Sequence, residues 1–337
     1  MKTHRQELRE CFHSVTDLMV PFFVAAFILI TITVAGVNPT SYGSSLTLKE
    51  QLLATTPAPR LIVMGGSGAA SSIDTAHLAH LTHTAPVNMA LYAGLGMRYI
   101  INDVRPEMKK GDIILLAPEY EMLQQPSYGD GFLLLEMMQA NPQDIIHGLT
   151  QHGIVVMFRA FPTWIQLNAA RVFTKIQDHF YPHTKTFAEK LYTIDNITSY
   201  GELNTEKDAG DHHLTLEQIH QEGDGFIRPA ADPQNLLLIK NFFAEAQSRG
   251  VDAYIVIPAI PVAVAQGNIE NSYAQFNALL ATVGANHVIG IPEFFILPND
   301  DFLDSIGHLT PAGKVIRTER IRQELQLRLI SKKLLNP

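Results

Sequence analysis

RLIVMGGSGAASSID, residues 60–74, is an apolar run that breaks into glycine, glycine, serine and glycine. It reads as a buried strand, a tight turn and the start of a helix. Such a turn has two uses: its amides can cradle a phosphate, or it can present Ser67 as a nucleophile. The residues that share its end of the fold decide between them.

Short apolar runs rich in β-branched residues recur at 61–65 (LIVMG), 87–92 (VNMALY), 112–118 (DIILLAP), 252–258 (DAYIVIP) and 287–292 (HVIGIP). Helix-length segments separate them at about 72–83, 95–110, 234–250 and 271–284. Continuous rather than alternating apolar strands, spaced by helices, predict a parallel sheet covered on both faces. The fold class is therefore α/β: a doubly wound, mainly parallel, three-layer sheet whose ligand site lies beyond the carboxyl ends of its strands. Gly65–Gly68, Tyr92–Gly96 and the loop after 292 fall at those ends. Thr310 caps a last helix, with Pro311 in its first turn and Val315, Ile321, Leu325 and Leu329 on one side.

Residues 121–233 break the alternation. They hold VVMFRAFPTWIQLNAARVF, the only tryptophan (Trp164) and the polar stretch GELNTEKDAGDHHLT. This reads as a helical insertion over the sheet edge, resting on a membrane or a membrane partner, or else an ordinary helical lid.

Leu18 to Val37, LMVPFFVAAFILITITVAGV, runs twenty residues without a charge. That length suits a helix crossing a bilayer core of about 30 Å, and Pro21 near its entry is tolerable there. Lys2, Arg5 and Arg9 precede it and favour a cytoplasmic N-terminus. A cleaved signal peptide is the alternative, but its apolar region is usually about 7–15 residues long, and TVAGVNP offers no good cleavage site. The expected plan is a cytoplasmic 1–17, a membrane span at 18–37, a polar linker with a short helix at 38–59, and an extracytoplasmic domain at 60–337.

Among 337 residues, 46% are hydrophobic, enough for a sizeable core, and the net charge of −8 argues against a nucleic-acid partner. The lone Cys11 excludes an intrachain disulfide and a cysteine zinc site. His77, His80 and His83 are spaced like a polar helix face and carry no metal reading. Asp211 and His212 in GDHHLT are able to supply a ligand pair or an alternative base, or they lie in a solvated loop.

The phosphate reading of the glycine turn is weak. A dinucleotide loop needs a third glycine where Ser71 stands and an acidic residue ending the next strand. Walker A is absent, and no cofactor is implied. The nucleophile reading needs a histidine oriented by a carboxylate at another strand end. FLDSIGHLTPAGK supplies Asp304 and His308 in one loop. The amides of Ser67, Gly68 and Gly94 are candidates for an oxyanion hole.

At these residues the chain resembles the SGNH (GDSL-like) hydrolase superfamily, over roughly 58–120 and 234–325. VMGGSGAASSID resembles the block carrying the nucleophile, here Ser67. NMALYAGLG resembles the block with the oxyanion glycine, here Gly94, and DSIGHLTPAGK the Asp/His block. The usual G-x-N-D block is missing; LLAPEYE puts Glu119 at that rim, while Asn102 and Asp103 fall inside a predicted helix. The family's Asp and His usually stand three apart, but Asp304 and His308 are four apart, so Asp300 and Asp301 are candidate substitutes.

With the membrane span and insertion, the plan resembles the SGNH partners of membrane-bound O-acyltransferases (MBOAT) of the alginate-acetylating and teichoic-acid D-alanylating types. That resemblance implies an enzyme of the bacterial inner membrane with a periplasmic domain. It would pass an acyl group, most simply acetyl, from an integral-membrane partner through acyl-Ser67 to a cell-surface glycan. A carbohydrate esterase of the same fold and a catalytically silent glycan-binding or scaffold subunit are the alternatives.

Overall fold

The computed structural model describes residues 4–140, 151–181, 183–206 and 212–335. Among the described residues there are seven strands: β1 (Arg60–Gly65), β2 (Ala85–Asn88), β3 (Ile113–Ala117), β4 (Asp252–Val256), β5 (Ile260–Pro261), β6 (Val288–Ile289) and β7 (Ile296–Leu297). Five form one sheet in the order β2-β1-β3-β4-β6, every neighbouring pair parallel, and β5 pairs with β7 beside it. All residues of β1 and β3 are buried. Successive side chains of a strand point to opposite faces, so both faces of the sheet are covered. The mixed α/β, mostly parallel architecture expected from the apolar runs is the one observed.

The strand order positions the site. β1 is followed by β2 on one side, and the chain then crosses to β3 on the other. Connections therefore diverge between the carboxyl ends of β1 and β3, opening the crevice where ligands of doubly wound sheets bind. The register sets Gly65 beside Ala117, so residues 66–68 and Glu119 emerge together.

Several expected boundaries move. The helix expected at 72–83 spans Thr75–Thr82, capped by Asp74, which accepts from the His77 amide, and a separate short helix, Ser67–Ser72, precedes it. The last strand shrinks to Val288–Ile289, ended by Gly290 in a left-handed conformation at φ 80°. Val315 on the last helix (Pro311–Leu335) faces outward at 67% exposure, whereas Ile321 and Leu325 are buried. Its inward first turns instead present Lys314, Arg317 and Thr318, with Lys314 paired to buried Glu202.

Residues 38–59 are a larger correction. The short helix is there (Leu46–Thr55), but the stretch is no loose linker: Tyr42, Leu46 and Leu53 are each 1% exposed. The Tyr42 amide donates to the Tyr192 carbonyl, and Ser41 and Thr193 form an antiparallel bridge. The insertion is helical, as expected, with a long helix Gln151–Phe180. Its later part reaches the β2 edge, where the Asn88 amide donates to the Tyr200 carbonyl. The N-terminal helix, His4–Gly36, contains one stretch, Met19–Gly36, long and apolar enough to cross a membrane and almost wholly exposed. Lys2 and Asp211 lie outside the described residues.

Candidate active site

The turn after β1 is crowded, and the crowding explains its glycines. A side chain at Gly66 would overlap the Glu119 carboxylate and approach the Ala93 Cα to 2.7 Å. One at Gly68 would stand 2.7 Å from the Gly307 carbonyl. These glycines let three strand-end loops meet around Ser67, which opens the helix Ser67–Ser72 and stays partly exposed.

The third loop carries Asp304 and His308. It is closed by an antiparallel bridge between Phe302 and Leu309 and by the Leu303 amide donating to the His308 carbonyl at 2.9 Å. This tight closure puts two side chains four residues apart on one side without a helix. It docks on the nucleophile helix through the Leu309 amide, which donates to Ser72 Oγ at 2.9 Å.

The structure brings Ser67, His308 and Asp304 into one chain of hydrogen bonds. His308 Nε2 lies 2.7 Å from Ser67 Oγ, and His308 Nδ1 lies 2.8 Å from Asp304 Oδ1. The carboxylate fixes the tautomer: Nδ1–H donates to Asp304, leaving Nε2 to accept the serine proton. Burial opposes ionisation of Asp304, but hydrogen bonds from His308 and Tyr192 outweigh it and hold its carboxyl below the ordinary range. Asp304, rather than Asp300 or Asp301, is the carboxylate that meets His308 Nδ1.

Tyr192 was invisible in the sequence. Its hydroxyl donates to Asp304 Oδ2 at 2.6 Å and lies 2.8 Å from His308 Nδ1. Burial and the Asp304 charge push its ionisation far above the usual tyrosine range, so it stays a donor. It comes from the insertion, 112 residues before Asp304, and no local motif marks it. The insertion grips the same loop twice more: Glu222 accepts from the Ile306 amide, and the Leu214 amide donates to the Phe302 carbonyl.

Glu119 corrects the expected oxyanion hole. Its Oε1 accepts from the Gly68 amide at 2.7 Å and its Oε2 from the Gly66 amide at 3.1 Å. The Gly68 N–H is therefore engaged by a carboxylate rather than free for an oxyanion. Burial raises the Glu119 carboxyl above its ordinary value, partly offset by the Gly68 amide. Nearby Arg317 is buried, which lowers it to about 10, and it donates to the Gly68 carbonyl. Among the described residues no backbone carbonyl accepts from the Ser67 or Gly94 amide, while the Gly94 carbonyl accepts from the Asp130 amide at 2.7 Å. Asn102 and Asp103 lie within the helix Gly96–Val104, and the Asn102 side chain accepts from Arg105, so no asparagine donor takes the G-x-N-D role.

The remaining candidates lie elsewhere. His212 is exposed and stacks on Phe187 with ring centroids 4.1 Å apart. His77, His80 and His83 are exposed on or just after the helix Thr75–Thr82. No group of three or more metal-ligating side chains occurs among the described residues. Compared with known proteins, the chain matches no family model and no curated protein.

Chemically, the arrangement holds a serine hydroxyl hydrogen-bonded to an imidazole whose tautomer a carboxylate fixes. Those are the parts of acyl transfer through a covalent intermediate. A phosphate cradle would leave the turn's amides pointing outward, but two of them point at Glu119.

Proposed function

We propose that this chain is a membrane-anchored serine O-acyltransferase of SGNH type. In this reading the helix containing Met19–Gly36 fixes it in the bacterial inner membrane, and the α/β domain is periplasmic. An acyl group, most simply acetyl, reaches it from an integral-membrane acyltransferase of MBOAT type and passes to a cell-surface polysaccharide. The observation that carries the reading is the continuous Ser67–His308–Asp304 hydrogen-bond chain at the β1/β3 crevice.

Ser67 Oγ attacks the acyl carbonyl carbon while its proton moves to His308 Nε2. The Ser67 and Gly94 amides stabilise the oxyanion that develops. The bond from the acyl carbon to the donor oxygen breaks, and His308 returns the proton to that oxygen. An acceptor hydroxyl then attacks acyl-Ser67, gives its proton to His308, and Ser67 Oγ recovers it as the ester leaves. Asp304, supported by Tyr192, stabilises the imidazolium in both halves. Water in place of the sugar hydroxyl makes the enzyme an esterase, so exclusion of water decides the outcome.

One observation favours a silent glycan-binding subunit instead: Glu119 occupies an amide that a three-donor oxyanion hole would use. Incubating the full chain with an activated acetyl ester and surface-polymer oligosaccharides separates the readings. Acetylated oligosaccharide that depends on Ser67 and His308 supports transfer. Free acetate alone makes it an esterase. Oligosaccharide binding without either product, unaffected by Ser67→Ala, makes it a binding subunit.

A further inference from the structure

The long helix Gln151–Phe180 has no role in the chemistry, yet it exposes an unusual surface. Phe158 is 78% exposed, Phe173 69%, Ile176 55% and Phe180 69%. Among the described residues, every large-area exposed phenylalanine lies either on the N-terminal helix or on this one. At 3.6 residues per turn, Ile154, Val155, Phe158, Phe173, Ile176 and Phe180 share an arc of about 100°. Met157, Trp164 and Asn168 point away from it and are buried.

The helix that carries this stripe packs, by its other side, on the carboxyl end of the apolar N-terminal helix. Lys175 Nζ donates to the Ala35 and Val37 carbonyls at 2.8 and 2.6 Å, at that helix's carboxyl end. A side chain at Gly36 would overlap Asn168, and Gln139 bonds both the Thr33 carbonyl and Asn168. The long helix is thus fixed where the apolar helix meets the α/β body. It is not itself a span, because Arg159, Pro162, Asn168, Arg171 and Lys175 interrupt it. Of its basic residues, Arg171 pairs with Glu136 and Lys175 is held by the two carbonyls, so the apolar surface rather than charge is what this helix offers. An exposed apolar stripe on a helix that is too polar to span is the pattern of a helix lying in a membrane interface.

We infer that the Gln151–Phe180 helix lies in the lipid interface of the bilayer, its Phe158–Phe173–Phe180 stripe among the upper acyl chains. This rests on the N-terminal helix being a membrane anchor. The occupant of the stripe is lipid, not a second protein. A site loop tied to this helix's own insertion is then held at a fixed height above the bilayer, which suits a donor arriving from the membrane.

The test uses the full chain in vesicles of zwitterionic and anionic phospholipid, with Cys11→Ser as background. Single cysteines replace Phe27, Phe158, Phe173 and Leu237 in turn and carry a spin label. Oxygen and a water-soluble nickel chelate then report depth. The inference expects Phe27→Cys deep, Phe158→Cys and Phe173→Cys shallow but within lipid, and Leu237→Cys in water. Labels at 158 and 173 that match 237 in water, with 27 still deep, overturn it and leave the anchor standing. A label at 27 in water overturns both. Labels at 158 and 173 shielded from oxygen and nickel alike would put a second protein on the stripe and overturn it as well.

Discussion

The two ends of β1 treat polar groups in opposite ways. At its start, Arg60 and Asp112 are both fully buried and every atom has work: Nη2 to Oδ2 at 2.6 Å, Nε to Oδ1 at 3.2 Å, and the Arg60 and Lys109 amides on the same carboxylate. The guanidinium also donates to the Leu53 and Glu107 carbonyls. At its other end, Ser67, Asp304 and His308 are partly open, and the Ser67 and Gly94 amides keep unspent capacity. A saturated buried pair fixes structure, since removing either partner strands a charge. An unsaturated, partly exposed cluster is able to take a substrate. The difference separates a saturated end from an unsaturated one across a single six-residue strand.

Substitutions at the two ends break this contrast if it is wrong. Ser67→Ala should lower acyl transfer by about 10⁴–10⁶-fold, the range for loss of a triad nucleophile, with no loss of thermal stability. Asp112→Ala should do the reverse. It leaves Arg60 buried and unpaired, a cost of about 3–5 kcal/mol, read as a lower urea midpoint, while the still-folded fraction keeps its activity per molecule. Loss of activity without loss of stability in Asp112→Ala would erase the distinction.

Tyr192→Phe sharpens it at the upper end. Removing a hydrogen bond to a carboxylate costs about 1.5–3 kcal/mol, or roughly 10- to 150-fold in rate if all of it falls on the transition state. The decrease should appear in kcat more than in KM. An unchanged rate would make Tyr192 merely a packing residue.

The smallest effect is in the pH dependence of stability. The Asp304 carboxyl is held below its unfolded value, so its contribution is present above the ordinary carboxylate range and is lost as pH falls through the folded value. Wild type should therefore lose stability more steeply on acidification than Asp304→Asn in urea titrations. Parallel curves would mean that the carboxylate gains nothing from His308 and Tyr192.

Legibility in the sequence follows distance along the chain. The strand–glycine–serine turn and the Asp304/His308 loop each lie within a dozen residues, so their local chemistry points to one strand end. The parallel sheet was readable because short, β-branched apolar runs without alternation, spaced by helix-length segments, read as strands buried on both faces. Tyr192 was not, because its role exists only when residues 112 apart meet. The Gly68 amide was misassigned for the same reason: Glu119, 51 residues on, reaches it only in the folded chain. Tyr42 looked like part of a polar linker, since one aromatic among serines and threonines carries no period. Only its packing on Tyr92 and Tyr192, at ring distances of 5.1 and 5.9 Å, makes it core.

The central claim is that Ser67 is a competent nucleophile, and intact-mass analysis after exposure to an activated acetyl ester tests it most directly. The wild-type chain should gain one acetyl group on Ser67, His308→Ala should gain it far more slowly, and Ser67→Ala should gain none there. A folded wild-type chain that stays unmodified, or a Ser67→Ala chain labelled to the same extent, would contradict it.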